Sequence, residues 1–492
     1  MTVTALDAFA PAHAMVGALR ERRMSSTELV ELHLERIARY NQELNAIVVP
    51  ASDPLAAASQ ADERRLAGGS AALLGLPLTL KESMNVRGMP VTAGVRDFAD
   101  YRSADDGAIP ARVLGAGAVL LGKTNVPPML ADWQSDNPIY GRTVNPWDVT
   151  RTPGGSTGGG AAAVAAGLSP LEFGSDIGGS IRVPAAFCGV FGHKPSETAV
   201  PRSGQFAVPV LPNAAAVMAV QGPLARSAED LELALNVIAG PEVGEDAAWR
   251  LDLPPARAER LADFRVAVLP PIPWQPVSSE IMEALDGLAA RLGRAGTRVS
   301  VTQPEAFGDL RQHTAVYMSM LAAFMASRMP ANQREAEAEI VQRHSIDTDF
   351  VSARVAGFRA TLSEWLQWHA QREAYRAAYR AFFKDWDVLL TPITLVTAFP
   401  HTPVAWPPDE TNARLTVDVD GQPVPYFRQV VYPGIATLTG QPSTTFPVGV
   451  SRAGLPMGVQ AIGPYLEDRT TIRFAGLATR EFGGFTPPPR FS

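Results

Sequence analysis

Twice along the chain an apolar run at strand spacing gives way to a helical period and then to a second apolar run. This recurrence restricts the fold more than any other feature. Leu76 to Lys81 reads as a strand, Ala108 to Leu114 as a helix and Val119 to Leu121 as a second strand. The order returns at Phe264 to Leu269, then Ile281, Leu285, Leu288 and Leu292, then Gly296 and the strand Thr297 to Val301. Parallel neighbours need a crossover long enough to hold a helix, so strand–helix–strand units predict an α/β fold built on parallel strands. Ser25-Ser26-Thr27-Glu28 is a capping-box pattern, and Val30, Leu34 and Ile37 follow at helical intervals. From Asp309 to Phe383 the pattern is mostly helical, ending in a stripe of Trp365, Trp368, Tyr375 and Tyr379 that reads as a packing or solvated face rather than a ligand site. Asp387 to Leu390 returns as a strand, and Gly434 to Gly463 reads as turns and strands. No internal repeat or Gly/Ser linker divides the 492 residues, so residues 1–492 are expected to form a single domain.

Composition excludes several classes of function. The net charge of −7 argues against electrostatic capture of nucleic acid. One cysteine, Cys188, permits neither an internal disulfide nor a Cys-rich zinc site, which suits a reducing compartment. Met1 to Arg23 lacks the basic start and apolar block of a signal peptide, and no apolar stretch approaches the ~20 residues of a membrane span. The expectation is a cytoplasmic protein with neither a membrane nor a nucleic-acid partner.

The basic residues carry a further clue. Lysine stands only at Lys81, Lys123, Lys194 and Lys384, and every other basic residue is arginine. Arginine stays protonated in proteins whereas a desolvated lysine can lose its proton, so a site needing a neutral amine has only these four to choose from. Three of them share a segment with the glycine clusters Gly154-Gly155-Ser156-Thr157-Gly158-Gly159-Gly160 and Asp176-Ile177-Gly178-Gly179-Ser180-Ile181-Arg182. Glycine lets backbone N–H groups converge on one atom, which suits a phosphate or a transient oxyanion. The Lys-Ser/Thr ending of a P-loop and the G-x-G-x-x-G spacing of a dinucleotide site are both missing. Arg182 replaces the second glycine of a nucleophile elbow. His193 is the only histidine in this region and reads as a structural hydrogen-bonding residue. What remains is a serine nucleophile with a lysine base.

These residues resemble the amidase signature family. The resemblance is carried by Leu78-Thr79-Leu80-Lys81-Glu82, Thr124-Asn125-Val126-Pro127, Asn145-Pro146-Trp147, Pro153 to Gly159, Asp176 to Gly189, Gly222 to Ser227, Leu389 to Pro392 and Gly454 to Gln460, all in the family's order. It spans nearly the whole chain and is weakest from about 300 to 430. It implies a large mixed, mostly parallel central sheet covered by helices on both faces. It further implies a catalytic core at about 65–240 and a helical, variable substrate-side region at about 305–385. By motif, Ser180 is the expected nucleophile, Ser156 the bridging serine after a cis peptide bond, and Lys81 the base. Ile177, Gly178, Gly179 and Ser180 are the expected oxyanion donors, with Thr157, Asp176 and Arg182 as support. Thr157 stands where the family usually has serine and His193 where many members have leucine; neither change removes a triad atom.

The implied reaction is hydrolysis of a small or medium carboxamide, extending to aryl amides, esters or carbamates, with no metal or cofactor and with homodimerisation expected from the family. Lys81 must then be desolvated, and Leu78, Leu80 and Met84 are the expected apolar wall. Glu82 would oppose that shift unless strand alternation turns it away. By position, Leu130, Asp132 and Trp133 approach the acyl pocket from one side, and Tyr426, Tyr432 and Ile435 from the other. The alternative is a glutaminase of the amidotransferase A-subunit type working in a complex, although Asp132 to Pro138 resembles stand-alone bacterial amidases.

Overall fold

Along the strand Pro77–Lys81, Leu78 and Leu80 join a large apolar cluster while Thr79 and Lys81 alternate to the opposite face. Around this strand a computed structural model describes residues 6–210 and 216–492; Met1 to Ala5 of the amino-terminal stretch considered above lie outside the described residues. The strands are β1 Ile47–Pro50, β2 Pro77–Lys81, β3 Val119–Thr124, β4 Asp136–Asn137, β5 Gly141–Arg142, β6 Leu171–Asp176, β7 Phe191–Lys194 and β8 Val220–Ala225. They continue with β9 Arg265–Val268, β10 Arg298–Val301, β11 Val388–Pro392, β12 Thr416–Val419, β13 Gln422–Pro425, β14 Ser443–Val450 and β15 Pro456–Ile462. Eleven of them form one sheet in the order β1-β3-β2-β6-β8-β7-β14-β15-β11-β9-β10, and β4/β5 and β12/β13 are separate two-stranded pairs.

Parallel pairing lies in two flanking blocks, β3-β2-β6 and β11-β9-β10, where strand–helix–strand units supply the crossovers. Between them β6-β8-β7-β14-β15-β11 run antiparallel, so the sheet is mixed. The predicted helices Ala108–Gly115 and Ser279–Arg294 are the two crossovers. The capping box closes: Glu28 N donates to Ser25 Oγ (3.1 Å) and Ser25 N to Glu28 Oε2 (2.8 Å), starting the helix Ser26–Leu44.

The stretch from Asp309 resolves into the helices Arg311–Ala326, Ala331–His344, Val351–Phe358 and Leu362–Phe382. The aromatic stripe of the last packs inward: Tyr375 and Tyr379 meet Phe307, and Tyr379 stacks on Phe383. The reading of Gly434 to Gly463 as turns and strands needs correction, because Val431–Thr437 is a helix that leads into β14. Pro433 and Gly434 disguise it. Its stability comes from tertiary packing, with the Tyr317 ring occupying the space where a Gly434 side chain would stand. The helix Gly158–Ala165 is hidden in the same way by its three leading glycines. Among the described residues no helix is long and apolar enough to cross a membrane.

Candidate active site

Lys384 is exposed, and the three remaining lysines are buried with different partners. Lys123 Nζ donates to the Pro90 carbonyl, and Lys194 Nζ to the carbonyls of Pro195 (3.1 Å) and Gln441 (2.8 Å). Burial draws these amines down to about 8 and about 7 respectively. Lys81 Nζ instead meets two hydroxyls, Ser156 Oγ at 2.7 Å and Ser175 Oγ at 3.1 Å. A carbonyl only accepts, whereas a hydroxyl can also give a proton, so Lys81 alone of the three has partners that a neutral amine can deprotonate. Its side chain is 0 % exposed, and burial pulls it down to about 7 against the opposing fields of Asp176 and Glu172. Glu82 is turned away, its carboxylate accepting from Thr92 N (2.6 Å) and Ala93 N (2.9 Å), and its field acts on Lys123.

Ser156 follows a cis Gly155–Ser156 peptide and is 1 % exposed. The two glycine patches are joined at the next residue, where Thr157 N donates to Ser180 O at 3.1 Å. Asp176, at the end of β6, organises the second patch by accepting from Gly179 N (2.9 Å) and Ile181 N (3.1 Å). Burial opposes its ionisation, but the adjacent Arg182 guanidinium, contacting it at 2.8 and 3.0 Å, holds the carboxyl down to about 2. Arg182 goes on to bond Pro433 O (3.1 Å), Thr437 Oγ1 (2.8 Å) and Gln460 Oε1 (2.8 Å). Gly179 adopts φ +97° with Pro433 and Val183 packed against it, a conformation and a space that suit only glycine.

The expected oxyanion set needs one correction. Gly179 N–H is already given to Asp176, whereas the N–H groups of Ile177, Gly178 and Ser180 have no acceptor among the described residues. The directions of the Gly178 and Gly179 amides have a visible cause. Tyr317 OH donates to Ile177 O at 2.8 Å and Trp133 Nε1 to Gly178 O at 3.1 Å. In a trans peptide the N–H points opposite its carbonyl, so Tyr317 fixes the direction of the Gly178 N–H. Ser180 is 8 % exposed and its hydroxyl carries no hydrogen bond to the described residues. The Ser156–Ser180 link of the expected relay is thus not a hydrogen bond here.

Of the expected pocket residues, Trp133 meets the glycine turn, and Tyr426 packs on Trp133 with ring centroids 5.7 Å apart. Asp132 Oδ1 accepts from Tyr426 OH (2.7 Å) and Trp133 N (2.7 Å), and the packing around its carboxyl pushes it up to about 7. Leu130 ends the short turn Pro128–Leu130 and is partly exposed. Tyr432 and Ile435 are each 1 % exposed and belong to the core behind the turn, so the structure does not bring them to the pocket surface. The helix Val431–Thr437, hidden in the sequence by Pro433 and Gly434, is what carries both into the core. His193 bonds Thr444 Oγ1 (2.9 Å) and Asp468 Oδ1 (3.1 Å), away from both serines. Ser175 and Tyr317 join the site without having been predicted: alternation along β6 sets Ser175 with Phe173 on the face opposite Lys81, so no sequence pattern points to it, and no motif points to Tyr317.

The sequence model of the amidase family matches residues 28–472. The chain is 32 % identical to an indoleacetamide hydrolase of Bradyrhizobium diazoefficiens, over 94 % of this chain and 85 % of that protein. It is 31 % identical to the A-subunit of the glutamyl-tRNA(Gln) amidotransferase of Cupriavidus necator, over 95 % of this chain and 96 % of that protein. Its structure matches a bacterial aryl acylamidase of the amidase signature family with a TM-score of 0.79 at 25 % identity, over 96 % of each chain. A match across most of the chain in sequence, together with one in fold, makes this protein a member of the amidase signature family and an amide hydrolase.

Proposed function

We propose that the chain cleaves a small or medium carboxamide through a seryl acyl-enzyme, with Ser180 as nucleophile, Ser156 as proton relay and Lys81 as base. The observation that carries this reading is a fully buried amine 2.7 Å from the Ser156 hydroxyl, drawn down to about 7. A lysine in water is only about 0.04 % neutral at pH 7, a cost of about 4.6 kcal/mol for using it as a base. Burial removes most of that cost. Neutral Lys81 takes the Ser156 proton, Ser156 takes that of Ser180, and Ser180 Oγ bonds to the amide carbon. The proton returns along the same path to the leaving nitrogen as the C–N bond breaks, and water then releases the acid by the same route. Ile177, Gly178 and Ser180 hold the oxyanion, each such donor being worth about 3 kcal/mol, while Thr157, Asp176 and Arg182 keep the turn in shape.

Trp133 and Tyr426 beside the turn favour an aryl or apolar acyl group. The similarity to an indoleacetamide hydrolase and an aryl acylamidase points the same way. Ser180→Ala is expected to abolish hydrolysis across a panel of aliphatic amides, aryl amides, anilides and carbamates, and to abolish labelling by a fluorophosphonate. Undiminished turnover would refute the assignment. Lys81→Ala is expected to lose at least a hundredfold in kcat/KM with partial recovery at high pH, while in the wild type kcat/KM climbs through about pH 7 as Lys81 loses its proton. The similarity to an amidotransferase component supports a second reading, a glutaminase acting in a complex. Glutamine as the sole substrate together with co-purifying partner chains would favour it over the stand-alone hydrolase.

A further inference from the structure

Beside Lys81 lies an ionisable group that the hydrolytic cycle leaves idle. Glu172 sits on β6, and in the sheet its register partner is Thr79 of β2. Its side chain reaches over β2 to β3, where Oε1 accepts the Thr124 hydroxyl at 2.7 Å. Thr124 is in turn the register partner of Lys81. The carboxyl therefore lies over β2, on the face from which Lys81 projects. Like Lys81 it is fully buried. Gly160 closes the space above it, and a methyl group there would overlap the Glu172 side chain.

What surrounds this carboxyl is unsuited to a charge. Oε2 has no hydrogen-bond partner, and Glu172 makes no ion pair with the described residues. The facing groups are Thr79 and Lys81 from β2, Thr124 from β3 and Asp176 from β6, whose charge is matched by Arg182. The overlying helix Gly158–Ala165 brings no ionisable side chain. A carboxylate so placed, with only the neutral hydroxyls of Thr124 and Thr79 beside it, takes up a proton in preference to remaining charged. We propose that Glu172 holds the proton that Lys81 gives up, so that the two groups share one proton near neutrality and the amine is left as free base. In this exchange the N–H bond of the ammonium is replaced by an O–H bond on the carboxyl, and the pair stays neutral overall in a medium that resists charge. Burial supports this order, pushing Glu172 up to about 8 and Lys81 down to about 7, against the mutual field of the two. Glu172 is a positioning residue, since it touches neither substrate nor reacting atoms, and its role rests on the reading of Lys81 as the base.

With only four lysines, protein labelled at the lysine ε-carbon gives four signals, which makes the Lys81 titration directly readable by NMR. In the wild type the Lys81 signal is expected to shift in two steps, its own near pH 7 and that of Glu172 near pH 8. A single step would overturn the proposal, and this measurement needs no folded variant. Glutamine is isosteric with the protonated acid. Glu172→Gln is therefore expected to remove the second step, to leave the first in place, and to remove the Glu172 component of the protonated-carboxyl infrared absorption at pH 7, to which Asp132, pushed up to about 7, also contributes. A first step that falls by about one unit or more would mean that Glu172 was already charged, and would also overturn the proposal. Retained activity in Lys81→Ala would sink the base assignment alone, because the shared proton is read from the spectra and not from turnover.

Discussion

Lysine scarcity and burial together leave three amines, and their partners decide what each can do. Lys123 and Lys194 are as buried as Lys81, yet both are tied to carbonyls. Lys81, the proposed base, was legible as a candidate in the sequence because its motif stands in the family's order. Ser175 was not, since alternation along β6 places it with Phe173 on the opposite face, and only the folded chain brings the amine to its hydroxyl. Tyr317 was not legible at all: it comes from the poorly matched helical stretch, and only the folded chain brings its hydroxyl to the Ile177 carbonyl. Tyr317→Phe is expected to free that peptide to rotate and to misaim the Gly178 N–H. The expected outcome is a fall of about tenfold or more in kcat with little change in KM, because the donor matters only once the oxyanion forms. Steady-state kinetics on a neutral aryl amide check it.

At the scale of elements, the strands and helices with clean periods were readable and those led by glycine or proline were not. Gly158–Ala165 and Val431–Thr437 are helices that their own residues disfavour, and packing overrides that preference. The glycines of the first patch do more than shape an anion site. Gly160 lets its helix lie directly on Glu172, an approach that composition alone does not distinguish from a flexible turn. Gly160→Ala supplies a better helix former yet is expected to destabilise the fold by about 1–3 kcal/mol, because the added methyl overlaps a side chain with nowhere to move. Urea denaturation at constant m-value tests this. An unchanged or raised midpoint would mean that the helix can shift off the sheet at little cost.

For the whole molecule, the buried lysines predict an unusual response to alkali. Lys81, Lys123 and Lys194 lose their protons at about 7 to 8 in the folded protein, against an ordinary value of 10.5. Between those limits the unfolded chain binds more protons than the folded one, so raising the pH favours folding. The urea midpoint is expected to rise from about pH 8 to about pH 10, and Lys123→Met, which removes one of the three contributors, to flatten the rise. A midpoint that falls over that range would contradict the burial of these amines. The fold also binds distant parts of the chain into one device, because Arg182, in the turn that bears Ser180, is clamped by Pro433, Thr437 and Gln460. During synthesis every signature motif of the amino-terminal half therefore leaves the ribosome long before the groups that lock it. A message cut short after that half yields a product that carries Lys81, Ser156 and Ser180 but lacks the groups that clamp Arg182.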